Sequence, residues 1–138
     1  MISDVVLDFS YDHSIEEVWA ALTTPAILEK WIMPNDFKAE VGYAFEFKGE
    51  ANEYWDGIIR GEVLEVAEPN KLSYKWNSAG ETTTITWTLS TVSKEKTTLH
   101  FEMDGFSDEI KQYPGAIQGA VSSWSAFAHT LRKVLAKV

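Results

Sequence analysis

The sequence predicts an α+β fold in which a curved antiparallel sheet of about seven strands wraps around a long C-terminal helix. Residues 115–138 place apolar side chains at the three- and four-residue spacing of one helical face. Most of the preceding chain instead alternates apolar and polar residues with the period of a half-buried strand. A sheet and a helix that each have one apolar face bury them most economically against each other. The expected element order is β-α-α-β-β-β-β-β-β-α within one domain, residues 1–138.

A strand and two short helices are expected at the start of the chain. Residues 5–11 alternate apolar and polar side chains, as in a strand with one buried face. Ser14 and Glu17 have the spacing of a capping box, which predicts a helix that begins directly after Ser14. Thr24-Pro25 predicts the start of a second helix, because Thr caps helices and Pro is favoured at the first helical position.

Six further strands are expected between residues 37 and 103, separated by turns that contain Gly, Pro, Asn or Ser. Apolar and polar side chains alternate within residues 37–41, 43–47, 72–76, 85–89 and 99–103, and residues 58–67 are expected to form one long strand. The strand at 58–67 has apolar residues in both phases, which a β-bulge near Gly61 would reconcile.

One connection and the long helix complete the predicted fold. Ser107 is expected to cap a helical turn within residues 104–113, and Pro114 to occupy the first position of the long helix. The spacing of Gly115 and Gly119 indicates a close approach of helix and sheet in preference to dimerisation. The buried stripe of this helix is expected at Ile117, Val121, Trp124, Ala128, Leu131, Leu135 and Val138.

The composition excludes several classes of function. The net charge is −9, with 12 Lys and Arg against 21 Asp and Glu, whereas a surface that follows nucleic-acid phosphates needs clustered basic residues. The chain has no cysteine, which excludes disulfides and thiolate metal sites. No apolar run reaches the ~18 residues of a membrane span, and the first residues lack the features of a secretion signal. We therefore expect a cytoplasmic protein with no nucleic-acid partner and no membrane span.

Several stretches, in order along the chain, resemble one known superfamily. They are residues 15–25 (IEEVWAALTTP), 28–31 (LEKW), 56–57 (DG), 61–66 (GEVLEV), 68–69 (EP), 72–76 (LSYKW) and 124–127 (WSAF) with Leu131. In these stretches the chain is similar to the SRPBCC or helix-grip superfamily, which includes the START and birch-pollen-allergen folds. It most resembles the heat-shock-protein-90 ATPase activator homologue-like branch, over nearly the whole chain. Ser123 stands where the family usually has Gly before the tryptophan.

The resemblance implies the helix-grip fold, with a hydrophobic cavity between the sheet and the C-terminal helix. Members of the superfamily include lipid carriers, hormone receptors, polyketide cyclases and chaperone cofactors, so the fold alone does not choose an activity. The first hypothesis is a domain that binds a small hydrophobic or aromatic molecule. The alternatives are a stress-response protein that interacts with a chaperone and a cyclase-like enzyme. A monomer and a homodimer both stay open.

The polar residues do not form a recognisable catalytic or metal site. His13, His100 and His129 are expected to face solvent from a loop, the outer sheet face and the flank of the last helix. No nucleophile elbow, zinc-protease motif, P-loop or dinucleotide-binding motif is present. We therefore expect no catalytic residue, no metal and no cofactor. An enzyme would need a polar group in the cavity, for which the candidates are Tyr74, Tyr113, Arg60 and Glu62.

The aromatic residues carry the remaining functional signal. Six Trp and five Tyr are present, and both types are costly in a dry core because their N–H and O–H groups need partners. The residues expected to line a cavity are Trp31, Phe45, Phe47, Tyr54, Trp55, Tyr74, Trp76, Trp87, Phe101, Met103, Tyr113, Ile117, Val121 and Trp124. The alternative is a filled core without a ligand. The entrance is expected between residues 50–55 and 104–113, two non-periodic segments that contain aromatic side chains.

Overall fold

The structure is a computed structural model in which residues 3–53, 55–78, 80–113 and 115–136 are described. The elements in chain order are β1 (Val5–Tyr11), α1 (Ile15–Thr23), α2 (Pro25–Trp31), β2 (Ala44–Lys48), β3 (Ile58–Ala67), β4 (Lys71–Ser78), β5 (Glu81–Ser93), β6 (Lys96–Asp104), α3 (Asp108–Lys111) and α4 (Ala116–Leu135). The described strands form one antiparallel sheet in the order β1-β6-β5-β4-β3-β2. This confirms the predicted α+β class and helix-grip arrangement, with one strand fewer than expected.

Residues 37–41 do not form the strand that their alternation predicts. The side chain of Asn35 accepts a hydrogen bond from Phe37 N–H (3.0 Å), and Tyr43 N–H donates to the carbonyl of Glu40 (3.0 Å). These local hydrogen bonds therefore occupy backbone N–H and C=O groups that would otherwise pair with a neighbouring strand. Phe37 is nevertheless buried, with 3 % of its surface exposed. The alternation predicts correctly that Phe37 points inward, but it fails at Val41, which is in the same phase and is 64 % exposed.

The β-bulge in β3 lies farther along the strand than predicted. The pairing register with β4 shifts between Val63 and Glu65, which leaves the exposed Leu64 as the extra residue. Gly61 has a different role, because a Cβ there would collide with the carbonyl oxygen of Lys75 in β4 and with the ring of Phe45, its partner in β2. The absence of a side chain at Gly61 thus gives the Phe45 ring its place in the core.

The local signals for helix starts are confirmed at α1 and α3. Ser14 Oγ accepts a hydrogen bond from Glu17 N–H (3.2 Å), and the Glu17 carboxylate accepts one from Ser14 N–H (3.4 Å), which completes the capping box. Ser107 Oγ accepts a hydrogen bond from Ile110 N–H and thereby caps α3. α2 begins at Pro25 as predicted, although the threonine before it makes no side-chain capping bond. Pro114 lies outside the described residues.

α4 packs on the inner face of the sheet mainly through its C-terminal half. The buried residues of the helix are those of the predicted stripe from its middle onward: Trp124, Ala128, Leu131 and Leu135. Ile117 and Val121, in the N-terminal half, are only half-buried. Val138, the last predicted position of the stripe, lies outside the described residues.

Trp124 is the central contact between α4 and the sheet. Its ring centroid lies 5.2 Å from that of Trp76 in β4, 5.8 Å from that of Trp87 in β5 and 4.9 Å from that of Phe101 in β6. Aromatic pairs at such distances are stabilising beyond the area that they bury. One side chain thus connects the helix to three neighbouring strands.

A polar contact joins the same helix to the edge strand β1. The hydroxyl of the buried Tyr11 donates a hydrogen bond to the carbonyl of Ala128 (2.9 Å), and the Arg132 guanidinium carbon lies 5.1 Å from the Tyr11 ring centroid. Burial raises the pKa of Tyr11, and the positive charge of Arg132 opposes this shift only in part. The phenol therefore stays protonated and keeps its donor role.

We expect Trp124→Ala to lower the free energy of unfolding by roughly 3–5 kcal/mol, because a large cavity would replace a buried aromatic side chain. Urea unfolding followed by circular dichroism measures this change. Tyr113→Ala is the control, since 60 % of Tyr113 is exposed and ordinary surface changes stay within about 0.5 kcal/mol. Equal stabilities of the two variants would contradict the central position of Trp124.

Candidate functional site

A pocket of about 370 Å³ lies where the N-terminal half of α4 meets α3, the loop before α3 and the sheet. Its wall is formed by Met33, Ile59, Trp76, Ser78, Glu81, Thr83, Met103, Phe106, Ile110, Ala116, Gly119, Ala120, Ser123, Trp124 and Phe127. Gly119 and Ser123 are also exposed to solvent, so the pocket reaches the surface.

Small residues of α4 create the space for this pocket. Ala116, Gly119, Ala120 and Ser123 recur at three- and four-residue intervals and therefore share one face of the helix. A Cβ added at Gly119 would meet no atom within 4 Å. The expectation that Gly119 allows close contact between helix and sheet is therefore wrong, because its missing side chain leaves open space.

The deepest part of the wall is aromatic. Trp76 and Trp124 are buried, with ring centroids 5.2 Å apart, and Phe127 lies 5.3 Å from Trp124. Phe106 adds a further ring from the loop before α3. A mainly apolar wall with a few polar groups is typical of pockets that bind small molecules.

The polar groups of the wall come from β4, β5 and α4. Thr83 Oγ1 donates a hydrogen bond to the carbonyl of Trp76 (3.3 Å) and is thus already satisfied. The Glu81 carboxylate accepts hydrogen bonds from Ser107 N–H and Ser107 Oγ, both at 3.0 Å. Glu81 is the one charged residue of the wall among the described residues.

Asp4 also holds the loop that precedes α3. Its Oδ2 accepts hydrogen bonds from Gly105 N–H (3.2 Å) and Phe106 N–H (3.1 Å), and its Oδ1 lies 3.1 Å from Lys111 Nζ. Burial alone would raise the pKa of Asp4, but the hydrogen bonds from Lys111, Phe106 and Gly105 and the charge of Lys111 together lower it. Two carboxylates therefore fix the loop that carries Phe106.

The family model described as Activator of Hsp90 ATPase homolog 1-like protein matches residues 12–136. The chain belongs to this family. Hereafter we call it the activator-homologue family. The match confirms the resemblance inferred from the sequence and covers both walls of the pocket. The comparison with curated proteins gave no match.

Solved structures of similar proteins span almost the whole fold. Protein MLL2253 from Mesorhizobium loti is 33 % identical, with a TM-score of 0.82 and 97 % of each chain covered. PFC0360w, an HSP90 activator from Plasmodium falciparum, is 20 % identical, with a TM-score of 0.78 over 96 % of this chain and 95 % of that one. The Aha1 dimer from Colwellia psychrerythraea is 18 % identical, with a TM-score of 0.78 over 98 % and 96 %. The last two show the fold alone.

The structure separates the residues predicted to line a cavity into three groups. Trp76, Met103 and Trp124 lie on the pocket wall. Buried in the core, and not on that wall, are Trp31, Phe45, Phe47, Tyr74, Trp87 and Phe101. Elsewhere are the half-buried Trp55, Ile117 and Val121 and the exposed Tyr113, while Tyr54 lies outside the described residues. Ligand contact by any of them stays a prediction.

Hydrogen bonds within the protein satisfy the indole N–H groups of two tryptophans in the core group. Trp87 Nε1 donates a hydrogen bond to Tyr74 Oη (2.8 Å), and Trp31 Nε1 donates one to the carbonyl of Ala21 (2.9 Å). Burial raises the pKa of Tyr74, and the hydrogen bond from Trp87 opposes this shift. These side chains therefore need no cavity to explain them.

One of the two segments expected at the entrance borders the pocket. Phe106 and Ile110, from residues 104–113, lie on its wall. No described residue of the segment 50–55 does. The pocket opens beside α3, and Trp55 is not one of the residues on its wall.

The candidate polar residues do not converge in the described structure. His13 contacts Glu17 (3.2 Å), His100 contacts Asp8 on the outer sheet face (2.6 Å), and His129 is exposed. The described residues contain no group of three or more His, Asp or Glu that could hold a metal ion. The four residues suggested for an enzyme, none of which lies on the pocket wall, are Tyr74, Tyr113, Arg60 and Glu62.

Sequence reasoning missed the residues that distinguish the pocket from the core. The sequence analysis assigned no role to Glu81, and it interpreted Gly119 only as a position of close approach between helix and sheet. The common face of the small residues of α4 could have been found from their spacing, because Ala116, Gly119, Ala120 and Ser123 repeat as the apolar stripe does. Within the described residues, no helix combines the length and apolarity that crossing a membrane requires.

We expect Asp4→Asn to speed amide hydrogen exchange at Gly105 and Phe106 about fivefold, because hydrogen bonds to a carboxylate are stronger than those to a neutral amide. The Asp4 pKa is lowered by folding, so its contribution to stability is present above the ordinary value of about 3.9 and is lost as the pH falls through the folded value. Asp4→Asn should therefore flatten the acid dependence of stability.

Glu109→Gln is the matched control for this prediction. Glu109 is exposed and lies in α3, the short helix that follows the loop. The substitution therefore removes a nearby charge without removing the hydrogen bonds of Asp4. Exchange measured by NMR or mass spectrometry should stay at the wild-type rate in this variant. Similar rates at Gly105 and Phe106 in Asp4→Asn and wild type would show that Asp4 does not hold the loop.

Proposed function

We propose that this domain binds a small apolar or aromatic molecule in the pocket beside α3 and α4. The observation that carries the proposal is the 370 Å³ pocket itself, which falls within the range of about 300–1,000 Å³ of small-molecule sites. Its wall combines aromatic rings with a few polar groups, as such sites do. A ligand of this kind is the first hypothesis drawn from the sequence.

The contrast between the two halves of α4 supports the proposal. From Trp124 onward the helix fills the space beneath it with large side chains, whereas Ala116 and Ala120 leave that space empty. Larger apolar residues at these positions would gain packing energy and stability. A binding role for the pocket gives a reason for the small residues that packing alone does not.

A second candidate function is interaction with a chaperone of the heat-shock-protein-90 class. The family description favours it, and so does the shared fold of PFC0360w, an HSP90 activator. The rate of ATP hydrolysis by such a chaperone, with and without this protein, tests it directly. A rate that is unchanged at saturating protein would reject this candidate without affecting the pocket proposal.

The assembly state and the location belong with these proposals. A monomer and a homodimer stay open, and the Aha1 relative from Colwellia psychrerythraea was determined as a dimer. Sedimentation of the full chain distinguishes the two. A cytoplasmic location stays a prediction from the sequence.

We expect Ala120→Leu to weaken the binding of the neutral fluorescent probe N-phenyl-1-naphthylamine at least tenfold, because the larger side chain occupies the pocket. Titration of the probe by its fluorescence increase measures the dissociation constant. The melting temperature should stay at or above that of wild type, since Leu is a good helix former and fills a cavity.

The matched control is Gln118→Leu, which adds the same side chain at an exposed position of α4 outside the pocket wall. This variant should bind the probe like wild type. Probe affinity that is equal in all three proteins would place binding elsewhere, and a wild-type protein that does not bind the probe would count against an apolar site.

A further inference from the structure

We propose that the pocket selects ligands that carry an ammonium group on an apolar or aromatic body, and that Glu81 determines this preference. The inference rests on the proposed function, because it names the class of ligand that the same pocket takes. Glu81 is half-buried, lies on the pocket wall at the start of β5, and brings a carboxylate beside the aromatic rings.

Among the described residues, no cationic side chain neutralises the charge of Glu81. Its two carboxylate oxygens accept hydrogen bonds from Ser107 N–H and Ser107 Oγ, which are neutral donors. Among the described residues, Glu81 forms no ion pair with Lys, Arg or His, and no basic residue lies on the pocket wall. A carboxylate that is partly removed from water without a cationic partner attracts a cation that enters the pocket.

The surrounding charges act in the same direction. Lys111 is the basic residue of α3, and it is paired with Asp4 at 3.1 Å. The hydrogen bond to Asp4 raises the pKa of Lys111; burial opposes this shift, and the charges of Asp4, Asp108 and Asp104 add to it. One lysine thus faces three aspartates near the pocket, and the whole chain carries −9. A carboxylate ligand would be repelled by this field.

The aromatic wall provides the second half of ammonium recognition. Trp76, Phe106, Trp124 and Phe127 lie on the same wall as Glu81. The faces of aromatic rings attract cations, Trp most strongly, and desolvation strengthens this attraction. A carboxylate with several aromatic rings therefore favours an ammonium group over a hydroxyl or a carboxylate on the same ligand body.

Three probes with one skeleton test the preference: 4-phenylbutylamine, 4-phenylbutanol and 4-phenylbutyrate, titrated by calorimetry at neutral pH. We expect the amine to bind about tenfold more tightly than the alcohol, and the carboxylate to bind most weakly. Raising the salt concentration should weaken the binding of the amine and leave that of the alcohol unchanged, because salt screens charge interactions.

Glu81→Gln tests the role of the residue. Gln retains an acceptor for Ser107 N–H and can donate to Ser107 Oγ, so the loop contact is kept while the charge is removed. The amine should then bind no more than twofold more tightly than the alcohol. Glu62→Gln is the control, since it removes one charge from an exposed position outside the pocket wall and should keep the wild-type preference. Glu81→Asp should keep it as well.

The outcomes separate this inference from the proposed function. If the alcohol binds as tightly as the amine, the charge preference is wrong and the apolar pocket stands. If no probe binds, both proposals fail. If Glu81→Gln keeps the tenfold preference, Glu81 does not determine it. Should Glu81→Gln fail to fold, the ranking of the three probes and the salt dependence in wild type still decide whether the pocket prefers a cation.

Discussion

The contact between Trp124 and the sheet is the interaction on which the rest of the structure depends. Its ring meets side chains of β4, β5 and β6 and so sets both the distance and the rotation of α4 relative to the sheet. Leu131 and Leu135 continue on the same side and are buried. Toward the N-terminus, Ala120 and Ala116 contribute only methyl groups to the pocket wall. The pocket is therefore a consequence of where the large residues of α4 end.

Carboxylate groups fix the loop that carries Phe106 on the pocket wall. The loop before α3 leaves the sheet at the end of β6 and is fixed by carboxylates from the two strands that flank β6, Asp4 ahead of β1 and Glu81 at the start of β5. The two carboxylates differ in their surroundings, since Asp4 pairs with Lys111, whereas the partners of Glu81 among the described residues are the neutral donors of Ser107. Glu81 therefore fixes the loop as Asp4 does, but its negative charge has no cationic partner among the described residues.

Alternation in the sequence predicted burial better than it predicted hydrogen bonding. Phe37 is buried as its pattern requires, yet residues 37–41 are irregular because the Asn35 side chain takes a backbone N–H of that segment. In β3 the two apolar phases did indicate a bulge, but its place at Leu64 depends on pairing with β4. Val41, in the same phase as Phe37, is 64 % exposed, so a period-two pattern gives the direction of side chains only where the chain pairs as a strand. That pairing needs a partner that only the folded chain supplies.

The sequence by itself determined the fold class, the family, the capping box at Ser14 and the buried stripe of α4 from Trp124 onward, because these depend on local spacing and on hydrophobic periodicity. Only the tertiary structure decided which aromatic residues fill the core and which border a cavity. Trp87 Nε1 in β5 donates a hydrogen bond to Tyr74 Oη in β4, and no local sequence pattern reveals this pair. A cavity is missing volume between distant segments, and Glu81 gains its significance only when Ser107 and α4 are brought beside it.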